Sequence, residues 1–435
     1  MLPTLFHIPA FISGVPLFGW GVLALAWAAW SAFHLGTLAF RHGWTPELRS
    51  ALVTCVVVQL VLIYVTPQLL DRDPATGRPL GIAIRGYGVM LLLGIVSGVG
   101  LTLYRARRRG VEDDVVLSLA LWVFVAGMIG ARAFYVVEYW DHFRRDDLRE
   151  TIVSVLNLTQ GGLVVFGGLL GAVAALAAFC ALHRLPPLAV ADLVAPGMTL
   201  GLALGRVGCF FNGCCFGDLC ALPWAVEFPP QSPPYVRQIE QGRAFGFLLI
   251  GVPDETHGGL LAPLVASVEA GSPAERAGLQ PNERFQAIEG RAVTTLDEAR
   301  AALSAAVAAG RSPIEAVTDR GRRTLERLPQ FALHSRAVHP TQIYSAIDAL
   351  LTTLLLLSFG PLSRRDGETF ALLLTVHPVS RFLLEIIRID EPAMFGTGLS
   401  ISQNISVVLL ACGAALWLYV ERRRPGFAWP QVSTS

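Results

Sequence analysis

Nine stretches of this chain are apolar for long enough to cross a bilayer, and that removes most folds from consideration. They lie near residues 16–38, 50–70, 85–104, 115–137, 162–182, 189–210, 340–359, 367–388 and 400–421. A segment in lipid must satisfy its own backbone groups, so runs of this length fold as helices. Composition agrees: 53% of residues are apolar and 15% charged, against about 25% charged in an ordinary soluble domain. The 34 basic and 33 acidic residues leave a net charge of +1, so no global field draws in nucleic acid and none is expected as a partner. The first run is too long, and lacks the basic leader, for a cleavable signal peptide; it is expected to remain as a span.

Basic residues set the orientation. Arg105, Arg107, Arg108 and Arg109 follow the third run, His183-Arg184 the fifth, and Arg422-Arg423-Arg424 the ninth, while Arg364-Arg365 separates the seventh from the eighth. With nine spans all these clusters fall on one side, which is then cytoplasmic. The expected architecture is an all-α polytopic membrane protein of about nine transmembrane helices, N-terminus out and C-terminus in. Residues 211–339 come out on the external side and are too many for a loop without structure.

Within that segment, Leu264-Val265-Ala266-Ser267-Val268 reads as a strand, followed by a turn and short helix over 269–281. Phe285–Gly290 reads as a strand ending in a turn, and 295–309 as an alanine-rich helix. The run from Val268 through Gly271-Ser272-Pro273-Ala274 and Ala277-Gly278-Leu279 to Pro281 resembles the corresponding stretch of bacterial PDZ domains. Asn282-Glu283 stands where Gly-Asp is usual. The resemblance implies a small external α+β PDZ-like domain over 245–330, with a peptide groove near Gly246-Phe247-Leu248-Leu249 that would take an extended peptide by strand addition. An inert spacer is the other reading.

Two arginines stand inside apolar runs, where charge is expensive and by default marks function. Arg206 lies in Gly205-Arg206-Val207-Gly208-Cys209-Phe210-Phe211-Asn212-Gly213-Cys214-Cys215-Phe216-Gly217, a glycine-dense stretch suited to irregular backbone around a polar pocket. Arg381 belongs to His377, Arg381, Glu385 and Arg388, whose spacing puts all four on one face of a helix. Paired guanidinium forks at a membrane surface suit a phosphate or carboxylate, most simply a phospholipid headgroup.

Together with Ile84-Arg85-Gly86-Tyr87-Gly88-Val89-Met90, Gly161–Leu169, Ala191-Asp192-Leu193-Val194-Ala195-Pro196 and His339-Pro340-Thr341-Gln342-Ile343-Tyr344, these motifs resemble the prolipoprotein diacylglyceryl transferases over residues 80–420. The resemblance implies that phosphatidylglycerol and a preprolipoprotein signal peptide bearing a lipobox are the substrates. The diacylglyceryl group would pass to the lipobox cysteine thiol at the periplasmic face of the bacterial inner membrane, forming a thioether and releasing glycerol phosphate. It implies catalytic roles for Arg206, Arg381, Glu385 and Tyr87, and substrate-binding roles for Arg206, Asn212, Gly217, His339 and Arg388. The expected domains are additional N-terminal helices (1–79), a first part of the membrane core (80–230), the PDZ-like insert, and a second part of the core (335–425).

This chain departs from the family pattern at three places. Cys209 and Cys214 stand where Asn and Glu are usual, and Phe166 where a histidine is often the proposed base. Phenylalanine cannot move a proton, so Tyr87, His339, His377 or the arginine field is left to favour the thiolate. Cys209, Cys214, Cys215 and Cys220 leave three readings open: rim disulfides, a metal site with unusual C-x₄-C-C-x₄-C spacing, or a redox centre. The last makes a membrane thiol–disulfide oxidoreductase the alternative function. No cofactor and no metal ion enters the expected site. A membrane protease is disfavoured because no H-E-x-x-H or serine motif stands out.

Overall fold

The computed structural model describes residues 4–73, 76–144, 147–157, 161–162, 164–254, 260–388, 393–394 and 396–429. Leu163, within one family-like stretch, lies outside them. The chain divides into two units, Met1–Val89 and Met90–Ser435.

The first unit begins with β1 (Thr4–Pro9) and a small hairpin, β2 (Phe11–Ile12) and β3 (Val15–Pro16). Because that hairpin and a following turn occupy the expected start of the first span, helix α1 runs over Val22–His42 rather than from residue 16. Helix α2 (Pro46–Leu60) starts where Thr45 accepts a hydrogen bond from the Leu48 amide (3.3 Å), and it continues through a π turn and a 3₁₀ turn to Leu69. Trp27 Nε1 donates to the Cys55 carbonyl (3.1 Å) and ties the two helices. Strands β4 (Leu70–Arg72) and β5 (Pro79–Arg85) complete an antiparallel sheet in the order β1-β5-β4.

The second unit holds the membrane core. It comprises α3 (Gly86–Arg107, entering from the first unit), α4 (Asp113–Glu138), the short α5 (Trp140–Phe143) and α6 (Leu148–Leu156), then α7 (Val165–Leu182) and α8 (Pro187–Asn212). After the insert come α12 (Thr341–Phe359), α13 (Glu368–Glu385) and α14 (Ile401–Glu421). Among the described residues eight helices are long and apolar enough to cross a membrane. The remaining expected span, α13, is helical in its place but carries Glu368, Arg381 and Glu385. The chain is therefore a largely helical, multi-pass membrane protein.

Lipid offers no hydrophobic drive between helices, so they pack through small residues and internal polar ties. A Cβ on Gly130 of α4 would lie 2.4 Å from the Gly167 carbonyl oxygen of α7, and the reverse contact is equally short. Asp192 of α8, only 1% exposed, accepts from the Gly367 amide (2.7 Å) and the Phe370 amide (2.8 Å). The carboxylate so caps the N-terminus of α13 and locks it to α8.

The insert begins with α9 (Pro233–Glu240) and follows as β6 (Phe247–Asp254), β7 (Leu260–Val268), α10 (Pro273–Arg276), β8 (Phe285–Ile288), β9 (Arg291–Ala292), α11 (Leu296–Ala308), β10 (Ile314–Thr318) and β11 (Gly321–Leu325). One sheet runs β11-β10-β8-β9, and β6 pairs with β7. Phe245, Phe247, Leu249, Ile288, Leu303 and Phe331 are all at most 1% exposed and belong to one continuous core. Ser272 caps α10 and Thr295 caps α11. Amides of Thr294 and Thr295, with the Thr294 hydroxyl, hold the Glu298 carboxyl down to about 2. Asn282 adopts φ +65, which asparagine tolerates better than most residues, and Glu283 is buried against Thr318 and Arg323.

Between α13 and α14, β12 (Ala393–Met394) pairs with β13 (Leu399–Ser400). Ser400 and Gln403 form a capping box at the start of that helix.

Candidate functional site

Helix α8 ends because Gly213 takes a left-handed conformation (φ +77), a common helix stop. The chain then crosses a narrow passage between the segment entering α12 and the one leaving α13. The Gly217 amide donates to the His339 carbonyl (2.9 Å), the His339 amide to the Asp218 carbonyl (3.0 Å), and the Asp218 amide to the Ile387 carbonyl (3.1 Å). A side chain at Gly217 would meet His339 Cβ at 2.8 Å and Thr341 Cγ2 at 2.9 Å. Gly217 therefore serves as a backbone crossing point. From α12, Thr341 Oγ1 donates to the Cys215 carbonyl (2.6 Å) and Gln342 Nε2 to the Cys214 carbonyl (2.7 Å). The loop after α8 is thus fixed from two sides.

That crossing brings the predicted charges together. Glu385, with its side chain 3% exposed, pairs with Arg381 one turn earlier and lies 3.7 Å from Arg388 Nε. Arg381 Nη2 also donates to Ser402 Oγ of α14 (2.8 Å). The expected single helical face is corrected at its end. Helix α13 stops at Glu385, and Arg388 lies beyond it in a backbone bridge with Gly217. The bridge, rather than helical periodicity, returns Arg388 to Glu385.

Arg206 comes from the other side, on the penultimate turn of α8. It acts electrostatically on Arg381, on His377 and on Cys215, so the arginines of α8 and of the α13 segment share one neighbourhood. Among the described residues its guanidinium makes no side-chain hydrogen bond. His377 Nδ1 is buried without a hydrogen-bond partner among those residues, with Asp348 facing the same ring. Ser380 Oγ donates to Asp348 Oδ2 (2.8 Å). Asp348 and Ser402 escaped the sequence reading; a carboxylate within the apolar run of α12 was the signal for the first, and Ser402 carried none.

The other expected residues sit as follows. His339 Nδ1 lies 3.4 Å from Tyr344 Oη, which accepts from Trp224 Nε1 (2.8 Å). Asn212 is exposed at the end of α8, beside Cys214. Tyr87 lies in the first turn of α3, half-exposed, in the first unit. Arg132 of α4, another residue the sequence reading missed, spends its donors on the carbonyls of Ser154, Val155, Asn157, Gly161 and Gly162. It anchors the loop leading to Phe166, which occupies the first turn of α7.

Three of the four clustered cysteines converge. The Sγ atoms of Cys209, Cys214 and Cys215 all lie within 4.8 Å of one another. Cys220 is buried apart, accepting from the Leu222 amide (3.4 Å). Cys215 holds φ +60, a conformation that non-glycine residues rarely adopt, under the tie from Thr341.

Comparison with known proteins gives a consistent result. A family profile described as prolipoprotein diacylglyceryl transferase matches residues 78–419. A phosphatidylglycerol–prolipoprotein diacylglyceryl transferase of Rhodopirellula baltica is 33% identical over 446 residues, covering 94% of this chain and 87% of that protein. Proteins of the same name from Thermosynechococcus vestitus (34% over 165 residues, 38% of this chain and 60% of theirs) and Finegoldia magna (30% over 146 residues, 34% and 57%) match shorter stretches.

Proposed function

The chain belongs to the prolipoprotein diacylglyceryl transferase family, and from that premise we propose how its residues carry the reaction. The enzyme moves the diacylglyceryl group of phosphatidylglycerol to the lipobox cysteine of a preprolipoprotein; a thioether forms and glycerol phosphate leaves. Arg206 and Arg381 grip the phosphate and stabilise charge on the departing group, with Arg388 adding to the same field. Glu385 orients Arg381 and offsets part of the positive charge, which lets three arginines coexist at membrane depth. Asn212, Gly217 and His339 shape the rim where headgroup and peptide enter, and Tyr87 contributes to catalysis.

The observation that carries this reading is the convergence of Arg206 with the Arg381–Glu385–Arg388 group across separate elements. The nine-span topology is part of the proposal, with the site at the periplasmic face of the inner membrane. So are the four domains, with the insert as a PDZ-like module that positions protein substrates. Support for the last is the order of its strands and helices. The Leu249 amide on β6, within the expected groove, donates to the Gln241 carbonyl of the chain itself (2.8 Å). A peptide adding to that strand would compete with this contact.

The test is release of labelled glycerol phosphate from phosphatidylglycerol by the purified protein with a lipobox peptide. Release is expected to need both Arg206 and the peptide thiol. Equal release by Arg206→Ala, or with serine replacing the lipobox cysteine, would refute the assignment.

A further inference from the structure

The transfer reaction needs a thiolate, and this chain carries phenylalanine where its family resemblance leads one to expect a base. Beside the arginines it has assembled three thiols. Cys209 stands one turn after Arg206 on the same face of α8, and Cys214 and Cys215 fold back across the helix end to meet it. We propose that Cys209, Cys214 and Cys215 hold a zinc ion whose fourth position takes the lipobox cysteine as a thiolate.

Geometry supports the ion first. Zinc–sulfur bonds of about 2.3 Å in a tetrahedron place sulfurs roughly 3.8 Å apart, and all three Sγ atoms already lie within 4.8 Å. Side-chain rotation closes the difference, since the backbone is held by Thr341 and Gln342 at the carbonyls of Cys215 and Cys214. The left-handed backbone of Cys215 gains a purpose here: it turns neighbouring cysteines toward one point. The linear spacing concealed this because the αL turns at Gly213 and Cys215, rather than a helix or zinc-ribbon repeat, bring the sulfurs together.

Chemistry supports the role. Among the described residues no further cysteine, histidine or carboxylate joins the cluster. Three protein ligands with an open position are the pattern of catalytic rather than structural zinc. A thiol that binds the metal gives up its proton, so the ion replaces the base. Zinc with four thiolates carries two negative charges, and Arg206 and Arg388 act on Cys215, one of the ligands, with the opposite sign.

The step balances without a redox partner. The lipobox thiol loses its proton to solvent on binding zinc. Its sulfur then donates an electron pair to the glyceryl carbon bearing the phosphate ester, and the carbon–oxygen bond breaks with its pair going to oxygen. Glycerol phosphate leaves against the arginines. The neutral thioether is a poor zinc ligand and departs, freeing the position for the next thiol.

This proposal rests on the transferase reading, so its test reads the metal separately from turnover. The full-length protein, purified in detergent without chelator, is assayed for metal by mass spectrometry and then loaded with cobalt. Roughly one zinc per chain is expected. Cys209→Ser, Cys214→Ser and Cys215→Ser each lower zinc affinity by at least about 100-fold, beyond what loss of an outer-sphere partner costs. Cys220→Ser and Arg206→Ala keep the metal. The cobalt form shows thiolate charge-transfer absorption that changes with a cysteine lipobox peptide and is unmoved by its serine analogue. Full turnover by metal-free protein, copper in place of zinc, or a disulfide within the triad of active enzyme would overturn the zinc and leave the transferase standing. A triad that binds zinc and peptide thiol in a chain that releases no glycerol phosphate would keep the site and overturn the transferase reading.

Discussion

The insert and the membrane core solve the same packing problem with opposite means. The insert gathers Phe245, Phe247, Leu249, Leu303 and Phe331 into one apolar centre, while the described buried apolar clusters of the core hold only three or four residues each. In water, removing apolar area supplies the drive. In lipid the same side chains face an equally apolar solvent, so Gly130 against Gly167, Asp192 on α13 and Arg132 on its carbonyls do the holding. The difference explains why polar residues are structural in the core, and why only those left over from that duty are candidates for chemistry.

This contrast can be broken most forcefully in the insert. Phe247→Ala should cost the insert about 3–5 kcal/mol, from lost burial plus the cavity. Limited proteolysis of the full-length protein should then cut within 245–330 while the fragments on either side stay resistant. If the core is cleaved equally, the two regions share one stability and the contrast fails.

Arg206→Ala should do the reverse, because its guanidinium holds no helix in place. Transfer should fall by about 10²–10³-fold, as when one electrostatic donor is removed from a transition state, with the thermal midpoint in detergent unchanged. By comparison Arg132→Ala, which strips carbonyl ties from the loop before α7, should lower that midpoint as well as the rate.

A smaller effect sharpens the packing side. Gly130→Val pushes side-chain atoms into the α7 backbone and should cost about 1–3 kcal/mol, the usual range for overpacking. Gly310→Ala in the insert has open space around it, so its cost should be only about 1 kcal/mol, from the left-handed backbone. Denaturation in mixed micelles would rank the two; equal losses would contradict the close helix contact.

The smallest expected effect is a pH dependence confined to the insert. Burial alone would raise the Glu283 carboxyl, but Arg323, Thr318 and the Gln280 amide together hold it below the usual carboxylate range. A depressed carboxylate contributes stability that is fully present above its unfolded value near 4.3, and that is lost as pH falls through the folded value. Hydrogen exchange across 260–325 should accelerate over that acid range in the wild-type protein, and Glu283→Gln should flatten the response. A flat wild-type profile would remove Glu283 from the account.

Much of this was readable in advance, for identifiable reasons. Apolar run length located α3, α4, α7, α8, α12, α13 and α14 to within a few residues, since a membrane span must be long and continuous. The start of α1 was misjudged because a β-hairpin of apolar residues carries the same hydropathy as a helix. Arg206, Arg381 and Glu385 stood out by the cost of charge in an apolar run. Asp348 carried the same signal unread, Gln342 stood out only as part of a family-like motif, and Ser402 carried no signal, as small polar residues are common in membrane helices.

The sequence by itself determined a largely helical membrane protein, the approximate places of its long apolar helices and the presence of charges within them, because each follows from local composition and solvent. Only the tertiary structure decided which distant groups meet. Gly217 admits the close crossing of three segments, and its bridge draws Arg388 back to Glu385 after α13 has ended. Two left-handed residues at the end of α8 gather Cys209, Cys214 and Cys215 while leaving Cys220 outside. Such contacts depend on single backbone angles and on side chains far away in the chain, and no periodicity encodes them.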